Sequence, residues 1–377
     1  MPTLTTRRGE RRGYSEHYAR RLRVSGYAQV WRDACDYAGL CHRVRVPSGQ
    51  TIITPELVDV AGHAPTILTI RLVPGMLAAD VTALAPRLAN ALGGARMTAA
   101  AVGTDYARLV LHPTDPLGDA FHVREIEPDG FLGIGEDGQD VAIPWAGRVH
   151  TLIQGSSGYG KSTLTYAQLC PLAGRPDVQV AGVDPSGLVF RPWLDAPGEK
   201  WRVSGLGGGL AEHTRVLEEL CAEMDRRLTL LPIGCDNLAP SSEVPLIVVA
   251  LEELSGFLRT VDADRKLAAV VRPLLARLFS EGRKVGVRML AVIPRADAAV
   301  LGSGIRDQCQ LRVSFAVEPE GFRMAHPTTA GIDPDEHLAS PPGVAAVTAP
   351  GLGTFRLRAG ALPYREYARR VVAARER

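Results

Sequence analysis

The chain has 377 residues, 46% of them hydrophobic and 22% charged, which is enough for two domains of ordinary size around real cores. No stretch approaches the roughly 18 consecutive apolar residues of a spanning helix, and no apolar h-region follows the arginine-rich start, so a cytoplasmic protein without a membrane segment is expected. The net charge is only +2, but it is unevenly placed: Arg7, Arg8, Arg11, Arg12, Arg20, Arg21 and Arg23 face only Glu10 and Glu16 within residues 1–24, residues 365–377 are again basic, and the middle is acidic. Such basic ends suit a phosphate backbone, and a solvated tail has the same composition.

In chain order, residues 14–40 read as one or two short helices around Gly26. Cys35, Cys41 and His42 lack a fourth metal ligand at suitable spacing; Cys170, Cys221, Cys235 and Cys309 are scattered, so reduced thiols are expected. A small β-α-β-β module follows, with strands at 66–73, 97–102 and 107–112 and a helix over 78–92 ended by Gly93 and Gly94. The Pro- and Asp-rich run 113–118 marks a boundary. Beyond it, apolar strands are predicted at 149–154, 178–183, 246–251, 287–293 and 311–316. One intervening helix carries Leu217, Leu220, Cys221, Met224 and Leu228 on one face; another carries Leu267, Val270, Val271, Leu274, Leu275 and Leu278, with Pro273 as a kink. Strands alternating with helices imply a doubly wound α/β domain whose ligands bind at the carboxyl ends of the strands.

Gly155-Ser156-Ser157-Gly158-Tyr159-Gly160-Lys161-Ser162 fits G-x-x-x-x-G-K-[ST] at every fixed position. It follows an apolar strand and opens a helix, so that backbone N–H groups and a helix N-terminus converge on a phosphate. Lysine is rare in this chain, occurring only at Lys161, Lys200, Lys266 and Lys284, which makes one inside this loop more informative. The motif predicts ATP as ligand, Lys161 on its β- and γ-phosphates, and Ser162 on Mg2+. Tyr159 reads as a solvent-facing loop aromatic.

A second, carboxylate-bearing strand is needed beside such a loop. The run Pro245-Leu-Ile-Val-Val-Ala-Leu251 is a buried parallel strand that ends in Glu252 and Glu253. Glu252 is assigned to the magnesium shell and Glu253 to polarising the attacking water.

The loop, the segment L-I-V-V-A-L-E-E-L-S-G-F-L, the segment E-G-R-K-V-G-V-R-M-L-A-V-I-P-R-A-D and the later I-R-D-Q-C-Q-L-R-V-S-F together resemble the motor domain of FtsK/SpoIIIE-type DNA translocases, within the FtsK-HerA superfamily of P-loop ATPases. Compact members of this kind occur on conjugative elements and in phages. The resemblance implies a RecA-like parallel sheet with flanking helices, preceded by a small N-terminal α+β domain. It also implies a homo-oligomeric, usually hexameric ring that moves along double-stranded DNA by ATP hydrolysis. The corresponding division is a basic arm with short helices over 1–60, the small domain over 61–125, the motor over 126–365 and a basic tail over 366–377. In such rings an arginine from the next subunit stabilises the γ-phosphoryl charge, and Arg283, Arg295 and Arg312 are the candidates.

Two departures from the family pattern stand out. Glu252-Glu253 replaces the usual Asp-Glu, moving a carboxylate by about 1.5 Å, one C–C bond; Pro294-Arg295 replaces Gln-Arg and removes an amide that senses phosphate or orients water. These departures keep two other readings open, a nucleotide-gated assembly factor with weak hydrolysis and a protein-secretion ATPase of the same superfamily.

Overall fold

The computed structural model describes residues 7–47, 49–124, 127–194, 199–205, 209–295, 301–329 and 331–375, and the side chains of 7–22 lie outside that description, those of the basic-arm arginines Arg7 to Arg21 among them. The chain divides into two compact units, residues 1–119 with 136–139, and residues 120–135 with 140–377.

In the first unit, helix α1 (Arg7–Ala38) runs unbroken through Gly26, which corrects the expectation of short helices. Glycine inside a helix costs about 1 kcal/mol relative to alanine. That cost is offset downstream, where Trp31, Ala34, Cys35 and Ala38 bury against the sheet and the Trp31 indole donates to the Pro55 carbonyl at 2.8 Å. After α1 comes an antiparallel ribbon, β1 (His42–Val46) and β2 (Gly49–Ile53). The rest is β3 (Glu56–Ala61), β4 (Thr66–Arg71), helix α2 (Ala78–Ala91), β5 (Arg96–Val102) and β6 (Tyr106–His112), with sheet order β3-β4-β6-β5. The module is therefore β-β-α-β-β. Strand β3 was missed because a register shift between Leu57 and Asp59 breaks the period-2 alternation that betrays a half-buried strand. Among the described residues no cluster of three or more His, Cys, Asp or Glu is placed to hold a metal, and Cys35 and Cys41 are free.

The second unit is built on a ten-stranded sheet. Its strands are β7 (Phe131–Gly135), β8 (Asp140–Ala142), β9 (Thr151–Gln154), β10 (Val178–Asp184), β11 (Arg202–Ser204), β12 (Leu246–Leu251), β13 (Val287–Ile293), β14 (Leu311–Ser314), β15 (Val344–Ala349) and β16 (Gly353–Ala359). The order is β11-β10-β12-β13-β9-β14-β15-β16-β7-β8; the first six are mutually parallel and the last four add antiparallel. Helices α3 (Lys161–Leu169), α4 (Ala211–Leu228), α5 (Leu254–Asp262) and α6 (Arg265–Glu281) flank it.

Successive residues of a strand serve opposite faces, and β12 shows this cleanly. Ile247, Val249 and Leu251 join one core with residues of α4, α5 and α6. Val248 and Ala250 join the other with Leu164 of α3 and with Tyr367 and Val371. Covered on both faces, the strand is apolar throughout. The stripe on α4 packs as predicted, whereas Val270 of α6 is 43% exposed. The described part of the predicted basic tail lies in a helix, Tyr364–Arg375, with Tyr367 and Val371 fully buried; an aromatic and an aliphatic anchor four residues apart share one face and dock it. No helix among the described residues is long and apolar enough to cross a membrane.

Candidate nucleotide-binding site

The glycine-rich loop leaves the carboxyl end of β9 between two parallel neighbours and is pinned to both. The Gly155 N–H donates to the Pro294 carbonyl past β13 (3.1 Å), and the Ser156 N–H donates to the Ala316 carbonyl past β14 (2.8 Å). Two of its glycines are demanded by what lies beneath. A Cβ at Gly155 (φ +146°) would stand 2.6 Å from the Phe315 Cβ, and one at Gly160 (φ +117°) 3.0 Å from the Phe315 ring. Gly158 (φ +82°) has open space around it and is required by its backbone alone. Tyr159 is half-buried against the core and its carbonyl accepts from the Gly343 N–H at 2.9 Å, so it is not the solvent-facing aromatic expected. A cleft of about 300 Å3 runs from Gly158–Thr163 toward Pro342, Gly343 and Arg358.

Lys161 begins α3 and folds back over the loop, its Nζ donating to the carbonyls of Gly155 (2.7 Å) and Ser156 (3.0 Å). Burial lowers its pKa, and the carboxylates of Glu253 and Glu252 oppose that shift. A charged amine held only by two carbonyls is ready to exchange them for phosphate oxygens. Helix α3 itself is firmly fixed. The buried Gln168 at its end donates to the Phe131 carbonyl and accepts from Arg148, whose guanidinium, 1% exposed, also donates to the Gly130 and Ile143 carbonyls. Tyr166 stacks on Tyr367 at 4.6 Å between ring centroids.

Strand β12 lies one strand away from β9, across β13, and carries the two acids to the same edge of the sheet. The Ser162 hydroxyl donates to Glu252 Oε1 at 3.5 Å, a long contact, while Glu252 Oε2 is buried and has no hydrogen-bond partner. The pKa of Glu252 is pushed up to about 7, first by burial and then by Asp184 and Glu253, against the opposing pull of Lys161 and Ser162. Its neighbour Glu253 is the one non-glycine residue with positive φ among the described residues (φ 47°, ψ 41°). A left-handed glutamate stores about 1 kcal/mol or more of strain, a cost found mostly at functional sites. It turns the chain sharply from β12 into α5 and sends Glu252 and Glu253 in different directions from one corner.

A third acid, Asp184, ends β10, fully buried. Its carboxylate is engaged by the Ser186 N–H and hydroxyl and the Val189 N–H, at 2.6–3.0 Å, so it acts on Glu252 through its field. Its signal is in the sequence, an apolar strand that ends in an acid, although only Glu252 and Glu253, which follow β12, are expected from it. Also unforeseen is a hydrogen-bond chain behind the loop. The buried Gln154 amide donates to the Ser314 hydroxyl at 2.8 Å, Ser314 reaches His326 Nε2 at 2.7 Å, His326 Nδ1 reaches the Thr348 hydroxyl at 2.7 Å, Thr348 meets Thr354 at 2.8 Å, and Thr354 donates to the Thr328 carbonyl at 2.7 Å. Burial holds the His326 pKa down at about 3, so its ring is neutral with one N–H, and the chain then runs in one direction from Gln154 to Thr328.

The three candidate arginines part company. Arg295 lies beside the loop but is held by Glu318 at 3.0 Å and by Glu320. Arg312 donates to the carbonyls of Cys309, Ala325 and Arg306. Arg283, just before the amino end of β13, is exposed, and its guanidinium has no partner among the described residues.

No protein-family model matches the chain. Among curated proteins it is similar to the DNA translocase FtsK of Mycobacterium tuberculosis (23% identical over 304 residues, covering 70% of this chain and 36% of that protein) and of Haemophilus influenzae (24% over 299 residues, 68% and 56%). The chain thus spans about a third to a half of the length of these relatives. Among solved structures it is similar to the pCW3 conjugation coupling protein TcpA in its monomer form with ATPγS, with a TM-score of 0.54, 16% identity, and 92% of this chain and 99% of that one covered. It is also similar to ATPases 2 and 3 of EssC from Geobacillus thermodenitrificans, with a TM-score of 0.50, 16% identity, and 71% and 51% covered.

Proposed function

We propose that this chain, an FtsK-type P-loop ATPase, is a DNA-stimulated motor that couples ATP hydrolysis to the movement of double-stranded DNA and works as a ring of identical subunits. The observation that carries the reading is the meeting of Ser162 and Glu252 across β13, which joins the phosphate loop to an acid strand. DNA as cargo is carried over from the curated relatives named for DNA translocation, and a part in conjugation from the coupling protein; duplex is our reading.

In this reading the loop 155–162 wraps the phosphates of ATP, and Lys161 releases the Gly155 and Ser156 carbonyls to bind the β- and γ-oxygens. The facing Ser162 hydroxyl and Glu252 carboxylate, with its orphaned buried oxygen, have the chemistry of a magnesium site, since that ion prefers a few hard oxygen ligands and keeps its waters. Magnesium there would neutralise charge on the phosphate oxygens. Glu253, set at an angle to Glu252 by its left-handed backbone, holds and polarises the attacking water. Of the three arginines, Arg283 is the one unencumbered enough to enter a neighbour's site, whereas Arg295 must first leave Glu318 and Glu320. An acid whose burial opposes its charge until a cation arrives and a restrained Arg295 favour slow basal turnover. Steady-state ATPase rates with and without duplex DNA test the proposal. Duplex should stimulate turnover at least tenfold and Lys161→Ala should abolish it; equal rates with and without DNA, or stimulation by a secreted polypeptide in place of DNA, refute it.

A further inference from the structure

Among the described residues the β1–β2 ribbon is unlike the other paired strands. Of its ten residues only Val46 is half-buried; the other nine are exposed, so both faces of the ribbon meet solvent. Two strands without a third or a helix to cover them are marginal in water, and here Val44, Ile52 and Ile53 are 42%, 41% and 42% exposed. An exposed ribbon that keeps its ladder and its apolar residues is a surface made for something else to cover.

Charge says what that is. No acidic residue occurs between Asp36 and Glu56, while the ribbon carries Arg43, Arg45 and His42. The register pairs Arg43 with Ile52 and Arg45 with Gln50, and opposite residues of an antiparallel pair share a face. One face is therefore Arg43, Arg45, Gln50 and Ile52. Arg45 has no ion-pair partner among the described residues; Arg43 pairs with Asp36 at 2.5 Å, but its side chain is half exposed, and such a pair contributes little and is readily exchanged. The same unit holds the seven arginines of residues 1–24 against two glutamates. Five residues per strand make a ribbon about 17 Å long, and a two-stranded ribbon fits a major groove about 12 Å wide, where arginine and glutamine are the side chains that read guanine and adenine.

We propose that the β1–β2 ribbon is a duplex-DNA contact, placed outside the motor unit, with Arg43 and Arg45 on phosphates or base edges and Gln50 and Ile52 toward the groove. The inference rests on DNA being the cargo, but it is read by an assay that needs no ATP. The full-length chain carrying Arg43→Ala and Arg45→Ala is compared with wild type by fluorescence anisotropy on a labelled duplex across a salt series, with basal ATPase and thermal melting as controls. Loss of two phosphate contacts should weaken binding about tenfold or more near 0.1 M salt and flatten the log K against log salt slope by about 1.8, with basal turnover and melting unchanged. Unchanged affinity and slope overturn the proposal. So does a variant that binds DNA normally but loses self-association in sedimentation, which would make the ribbon a contact between copies. Should wild type bind the duplex through the ribbon yet show no DNA-stimulated ATPase, the motor reading fails and this one stands.

Discussion

Replacing Glu252 with glutamine should make the nucleotide-free protein more stable at alkaline pH while destroying its proposed metal site. The sign follows from the shift. The native pKa of Glu252 stands at about 7 against an ordinary 4.5, so between those values the native state holds a proton that the unfolded chain has lost, and wild-type stability falls as pH rises through that window. Above pH 7 the native carboxylate is ionised in a site that disfavours its charge. Two and a half pH units at about 1.4 kcal/mol each bound the cost at about 3 kcal/mol. Glu252→Gln keeps a carbonyl oxygen to accept from Ser162 and removes the charge, so its melting advantage should be near zero at pH 4.5 and grow to about 5–10 °C at pH 8 for a unit of this size. Differential scanning calorimetry of the motor transition at both pH values, without nucleotide or divalent ions, reads the difference. A variant that melts at or below wild type at pH 8, or whose advantage does not depend on pH, refutes the account of Glu252 as a buried acid awaiting a cation.

Gly155→Ala should lower the motor's melting transition by the equivalent of about 2–4 kcal/mol, since the new methyl meets Phe315 and the backbone is unsuited to it. Gly158→Ala, with open space, should cost about 1 kcal/mol; equal melting temperatures for wild type and Gly155→Ala would contradict the clash. Arg283→Ala should bind ATP normally yet turn it over about a thousandfold more slowly. Mixing it with Lys161→Ala subunits should restore part of the rate, because each variant supplies what the other lacks. A mixture as inactive as its components argues against Arg283 acting between subunits.

The parallel half of the sheet was legible because its strands are buried on both faces and therefore largely apolar, without interruption in β12 and broken only by Arg288 in β13. The phosphate loop was legible because its chemistry tolerates so few residues. The antiparallel half was not: β16 has a burial pattern that climbs from exposed to buried along its length rather than alternating, and β8 is only three residues long, as is β11 at the parallel edge. Asp184 went unnoticed although it ends a strand as Glu252 follows one, since a single acid before Pro185 also reads as the start of a turn. The chain from Gln154 to Thr328 joins residues up to 200 positions apart through lone hydroxyls and one imidazole, and no local pattern announces such a partnership.

The bolting of α3 by Gln168, Arg148 and Tyr166 settles which side of the nucleotide cleft can give way. A guanidinium sunk among three carbonyl oxygens, one of them from a glutamine on that helix, leaves no slack on the α3 side, which behaves as a fixed jaw. In the proposed motor, a displacement set off by an arriving or departing phosphate would be taken up opposite, at the corner from β12 into α5, where one glutamate already sits against its conformational preference. The stroke of the proposed motor would begin at that corner and travel outward along α5.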